Sequence, residues 1–169
     1  MRYWLMKSEP AECSIDSVLA APGRTTPWTG VRNYQARNFM RDEMAIGDGV
    51  LFYHSSCAEP GIAGLAEVAS AARPDETQFQ PESAYYDPKA SRARPRWVCV
   101  DIRALRKTRL MPIAELRAHP RLAGMWVLRP GNRLSITPVG KMEWDTLTRI
   151  LVSPRRPPRT RRRHEPLPH

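Results

Sequence analysis

Between Trp28 and Ser56 the chain gathers residues suited to gripping a flat, hydrogen-bonding ligand. Trp28 and Tyr53 offer aromatic faces. Asn33 and Asn38 offer amides that both donate and accept, Ser55 a hydroxyl, Arg32 a fork of donors and His54 an imidazole. Upstream, Lys7-Ser8-Glu9 adds an ammonium and a hydroxyl at the end of an apolar run. Downstream, Tyr85 and Tyr86 add two more faces. Reading an unpaired or flipped base calls for this combination of stacking surfaces and edges able to pair with a Watson–Crick face. Stacking alone is worth ~1–3 kcal/mol per base. On this reading Asn33, Asn38, Ser8 and Ser55 take the base edge, while Lys7 and Arg32 hold flanking phosphates. Trp28, between Pro27 and Thr29 in a polar loop, is assigned to the ligand; Trp4, Trp97, Trp126 and Trp144 are assigned to the core.

Other chemistries lack their residues. There is no glycine-rich phosphate loop and no G-x-S-x-G elbow. His54, His119, His164 and His169 have no ligand spacing, so neither a metal nor a cofactor is expected. Cys13, Cys57 and Cys99 are widely spaced and read as small apolar thiols of a reducing compartment, the cytoplasm. Three function classes stay open on residues alone. They are a binding module without turnover, a small hydrolase of a modified nucleoside using Lys7, Glu9 and His54, and a protein-interaction module recruited through the chain end.

Short elements must position these groups. A strand is expected over Arg2–Lys7, then a helix capped by Ser14 and closed at Pro22-Gly23. Asn33 is a second N-cap and opens a short amphipathic helix. Gly30 before it permits positive φ or a close approach of the backbone to a ligand. A turn at Ile46–Gly49 leads into a strand Val50–His54, and a small-residue strand follows over Ile62–Ala71. The connection Arg73–Arg96, with four prolines, is either a binding loop or disordered. Trp97–Leu105 alternates as a strand, Pro112 opens a helix, Arg133–Thr137 is a short strand, and Lys141–Leu151 a closing helix. That helix has an apolar stripe of Met142, Trp144, Leu147, Ile150 and Leu151. Strands and helices alternate without regular βαβ units. The expected class is α+β, a small bent sheet or open barrel of strands with peripheral helices.

At 169 residues the chain is one domain, and its net charge of +10 favours a polyanionic partner. Half of that charge comes from residues 153–169, where six arginines face one glutamate among prolines. The division expected is a folded domain over 1–152 and a disordered basic tail over 153–169. No secretory signal and no membrane span is visible, so no membrane partner is expected, and the domain is read as a monomer.

Several long runs closely resemble the EVE domain family. They include Tyr3–Pro10, Trp28–Phe39, Gly49–Ser55, Ala84–Lys89, Pro95–Trp97 and Gly131–Ser135, and the likeness extends from about Met1 to Leu151. The resemblance implies a PUA-like open barrel of five to six strands, similar also to YTH domains. It further implies a reader of modified bases, chiefly modified cytosine such as 5-methylcytosine in DNA, or a modified RNA base. Carried over by motif, the pocket comprises Lys7, Ser8, Trp28, Val31, Arg32, Asn33, Asn38, Tyr53, His54 and Ser55, with Tyr85 and Arg133 at its rim. The chain departs from the family pattern at Cys13, where an aromatic is common, and at Ser56, where asparagine is usual.

Overall fold

Burial on both sides of the central strands decides the architecture. The computed structural model describes residues 1–153, so nearly all of the basic chain end lies outside the described residues. In order they form β1 (Tyr3–Ser8), α1 (Ile15–Ala20), a 3-10 turn (Pro22–Arg24), β2 (Thr25–Pro27) and α2 (Tyr34–Asn38), which continues as a π-helical turn (Phe39–Glu43). Next come β3 (Gly49–His54), β4 (Gly61–Val68), β5 (Arg73–Pro74), a 3-10 turn (Glu76–Phe79), β6 (Val98–Cys99) and β7 (Asp101–Pro112). The chain then runs through α3 (Ile113–Ala118), a 3-10 turn (Trp126–Leu128), β8 (Ile136–Val139) and α4 (Lys141–Val152).

Six strands make one mixed sheet in the order β2-β7-β4-β3-β1-β8, and β5 with β6 makes a separate ribbon. Only β1 and β3 run parallel, in register from Tyr3 opposite Gly49 to Ser8 opposite His54. Alternate residues of these strands fill opposite cores. Trp4, Met6, Val50 and Phe52 pack under Ile15 and Val18 of α1 and Ala36 of α2. Leu5, Leu51 and Tyr53 pack under Leu116 of α3 and Leu147 and Leu151 of α4. A strand covered on both faces has no polar side, which is why Val50–Tyr53 reads as one apolar run.

Local signals set the helix starts. Ser14 and Ser17 cap each other reciprocally, each hydroxyl accepting the other's backbone N–H at 3.0 Å. Asn33 Oδ1 accepts the Ala36 N–H at 3.1 Å. Asp48, buried in the turn before β3, accepts from the Trp4 indole at 3.1 Å and from the backbone of Arg2 and Ala45 at 3.0 Å, tying that turn to β1.

The structure departs from the sequence expectation in four places. The expected strand Trp97–Leu105 is two strands, because the chain changes sheets at Val100. Val98–Cys99 pairs with Arg73–Pro74, whereas β7 pairs with β2 and β4 and continues to Pro112. Register shifts between β4 and β7 break the alternation there, so the polar stretch around Arg106 did not read as strand. The last strand lies at Ile136–Val139 rather than Arg133–Thr137. Asn132 ties the preceding segment into a turn, donating to the Trp126 carbonyl at 2.6 Å and accepting the Leu134 N–H at 2.9 Å. Met142 is 59% exposed, not part of the buried stripe of α4, and Thr146 occupies the buried position instead. Of the four tryptophans assigned to the core, Trp4 and Trp97 are buried, while Trp126 and Trp144 are half-buried.

The tightest backbone approach is at Gly61, where an added Cβ would overlap the Met111 carbonyl across β4 and β7. Gly61→Ala is therefore expected to destabilise the fold by ~1–3 kcal/mol, an overpacking penalty that only a backbone shift can relieve. A urea midpoint lowered at unchanged m-value checks this.

Candidate functional site

The long connection after β4 is held by one buried carboxylate. Asp75, with no exposed surface, accepts the Gly30 N–H at 2.8 Å, Arg32 Nη1 at 3.0 Å, the Thr77 N–H at 2.9 Å and the Thr77 hydroxyl at 2.6 Å. Burial by itself would raise the Asp75 carboxyl, but the hydrogen bonds from Thr77, Gly30 and Arg32 outweigh it and hold the group below the usual carboxylate range. Buried Gln78 closes the same loop, donating to the Asp75 and Trp97 carbonyls at 2.8 Å and accepting the Arg96 and Trp97 N–H groups at 2.9 and 3.0 Å. Arg32 also grips the Tyr85 carbonyl, at 3.0 and 2.6 Å. The Tyr85 ring thereby lies flush against Gly30, whose φ is +83° and whose Cβ, if present, would come within 2.7 Å of that ring.

These contacts frame a cavity of about 680 Å³ between the end of β1, α1, the Trp28 loop and Tyr85. Trp28 and Val31 form part of its wall, with Trp28 6% exposed and set edge-on against Phe52 at 5.3 Å. Ser8, Ser17, Thr26, Thr29, Ser55 and Ser56 supply hydroxyls, and Ser8 donates to the Cys13 carbonyl at 2.7 Å. The Tyr85 phenol closes one side by donating to Glu12 at 2.7 Å. That bond, with burial and the nearby carboxylate charges, pushes the phenol up to about 12. Lys7 and Arg133 also line the cavity, and neither has a carboxylate partner among the described residues. Burial pulls the Lys7 ammonium below its ordinary value, so an approaching anion would be favoured.

Of the residues expected in the pocket, Lys7, Ser8, Trp28, Val31 and Ser55 line this cavity, and so do Tyr85 and Arg133. Five others are directed elsewhere. Arg32 spends its guanidinium on Asp75, Thr77 and Tyr85 and is not free for a phosphate. Asn33 is occupied as the cap of α2, and Asn38 accepts from Arg37 at 3.1 and 2.9 Å. Tyr53 lies on the opposite face of the sheet, in the second core. His54 Nε2 accepts the Ile15 N–H at 3.1 Å, capping α1, and burial lowers its imidazole below the ordinary value. Lys7 and Glu9 of the acid–base trio therefore border the cavity without His54. Sequence reasoning missed Glu12, Ser17 and Thr26, whose proximity depends on tertiary folding. Cys13 and Ser56, where the chain departs from the family pattern, both border the cavity, and Ser56 holds φ of +51°, a conformation that asparagine adopts more readily.

The EVE domain profile matches residues 2–150. Human thymocyte nuclear protein 1 is 44% identical over 160 residues, covering 85% of this chain and 71% of the relative. The crystal structure of human THYN1 in complex with 5-methylcytosine-containing DNA superposes with a TM-score of 0.83 at 40% identity, covering 89% of this chain and 97% of that one. A hypothetical protein from Leishmania major gives a TM-score of 0.84 at 42% identity, over 89% and 94% of the two chains. The α+β, PUA-like fold is common to this group.

Replacing Asp75 by Ala should destabilise the fold by roughly 3 kcal/mol, because the arginine and amide donors it satisfies lose their acceptor. The folded value of Asp75 is depressed, so its contribution is complete above the unfolded value of ~4 and is lost as pH falls toward the folded one. Denaturant titrations should therefore show the gap between wild type and D75A closing as the pH is lowered from neutral into that range.

Proposed function

The chain belongs to the EVE domain family, and we propose that it binds DNA carrying a modified cytosine and seats the modified base in the cavity beside Trp28. The observation that carries this reading is the cavity: base-sized or larger, walled by Trp28 and Tyr85, lined with hydroxyls and flanked by Lys7 and Arg133, cations without an acidic partner among the described residues. Human THYN1, bound to 5-methylcytosine DNA on the same fold, points to modified cytosine as the ligand class. In this reading Trp28 and Tyr85 supply aromatic surface. Ser8 and Ser55 meet the base edge, and Lys7 and Arg133 receive the flanking phosphates. A base leaves the duplex to reach such a cavity, and the unstacking energy is offset by stacking and by these charge-assisted contacts. Binding without bond cleavage is sufficient.

The reading divides labour between two parts of the chain. Selectivity belongs to residues 1–152, and the basic segment 153–169 adds charge that does not distinguish sequences. Trp28→Ala should abolish the preference for methylated over unmethylated oligonucleotide while sparing much of the salt-sensitive affinity. Lys7→Met, which keeps the aliphatic stem, should weaken the methylated complex without unfolding the domain. Deleting 153–169 should leave the preference intact and flatten the salt dependence, by about one unit of slope for each arginine that had neutralised a phosphate. Equal loss of preference and charge-driven affinity in both Trp28→Ala and the deletion would contradict this division.

A further inference from the structure

A ladder of stacked aromatics and guanidinium groups leads from the cavity wall to the surface. The Arg32 guanidinium lies 5.5 Å from the Tyr85 ring, which lines the cavity, and 5.4 Å from the Trp97 ring. Trp97 is stacked on Tyr34 at 4.9 Å and 23°. Arg37 flanks both, 4.6 Å from the Tyr34 ring and 5.9 Å from that of Trp97. The inner rungs are buried or held by hydrogen bonds. The outer rung, Tyr34, is 52% exposed at the first position of α2.

The charge beside that exposed ring is held without a direct ion pair. Arg37 bonds the Arg96 carbonyl and the Asn38 amide oxygen, and among the described residues it makes no ion pair, the Asp42 carboxylate interacting with it only at longer range. The segment leading into Trp97 is basic, and of its side chains Lys89 and Arg94 also lack an acidic partner among the described residues. The nearby acid, Asp87, is engaged by the Trp97 indole at 2.8 Å and the Lys89 N–H at 2.9 Å, with Arg96 at 3.9 Å. An exposed ring backed by a second ring and flanked by a guanidinium is the makeup of a sequence-tolerant nucleic-acid platform.

We propose that the Tyr34–Arg37 face is a second contact for the same strand, stacking a nucleotide that flanks the seated base beside the positive charge of Arg37. The assignment rests on the cavity being the base site, since Arg32 ties the platform to the cavity wall. It makes the ladder a rigid spacer between selective capture and unselective grip. The platform raises affinity for any strand long enough to reach it and contributes nothing to discrimination.

The test measures Tyr34→Ala and Tyr34→Phe against a methylated oligonucleotide, its unmethylated twin, and the mononucleotide 5-methyl-2′-deoxycytidine monophosphate. Tyr34→Ala should weaken both oligonucleotides by about fivefold to tenfold, the lower part of the stacking range. The methylation preference and the mononucleotide affinity should not change, and Tyr34→Phe should restore wild-type binding. Unchanged oligonucleotide affinity in Tyr34→Ala, or an equal loss with the mononucleotide, would overturn the proposal. If wild type does not distinguish the twin oligonucleotides, the base-pocket reading fails, while the Tyr34 comparison on unmethylated DNA still decides the platform.

Discussion

Asp75 is a carboxylate without access to water, and four donors around it make that position tenable. Moving a charged group out of water is expensive unless hydrogen bonds replace the lost hydration. Here the replacements come from Gly30 and Arg32 in the Trp28 loop and from Thr77 beside Asp75. Satisfying one carboxylate therefore fixes the Trp28 loop against the long connection after β4. Arg32, once oriented, holds the Tyr85 carbonyl, and Tyr85 then closes on Gly30, where no side chain larger than hydrogen fits. The cavity wall is a consequence of this single arrangement. Gln78 repeats the logic with an amide whose oxygen and nitrogen are both fully used.

The interior of the cavity carries the opposite balance. Of the two carboxylates on its margin, Glu12 accepts from the Tyr85 phenol and Glu9 has no side-chain partner among the described residues, while Lys7 and Arg133 have no acidic partner among them either. Lys7 is partly desolvated, and the Tyr53 ring, 5.9 Å from its ammonium, is too far to offset much of that penalty. An anionic group arriving with the ligand completes the electrostatics that the protein leaves open. The same contrast runs along the ladder: Arg32 is neutralised inside by Asp75, and Arg37 is left charged outside.

What the sequence made legible was local. Ser14 and Asn33 cap helices because capping needs only a side chain and the next turn, and the apolar runs of β1 and β3 read as strands from their residue types alone. What it hid was the use of polar side chains across the fold. Arg32, Asn33, Asn38 and His54 sit in the most chemically suggestive stretch, yet each serves internal structure, as an anchor to Asp75, a cap of α2, an acceptor for Arg37 and a cap of α1. Tyr53 was misplaced for a simpler reason: strand alternation turns it to the face opposite Phe52. Gly30 reads as a residue that permits positive φ or a close approach of the backbone to a ligand; its φ is +83°, and the group that approaches it is Tyr85, more than fifty positions away. Asp75 itself gave no signal, since a lone aspartate in a proline-rich loop looks like any turn residue.

The central claim is that recognition resides in a shaped cavity and not in net charge. It is tested most directly by titrating the full chain with oligonucleotides that differ in a single cytosine modification, at low and at high salt. The account predicts that overall affinity falls with salt while the preference for the modified strand persists, because stacking and edge contacts are not screened as phosphate contacts are. Binding that is uniform across modifications and vanishes with salt would contradict it.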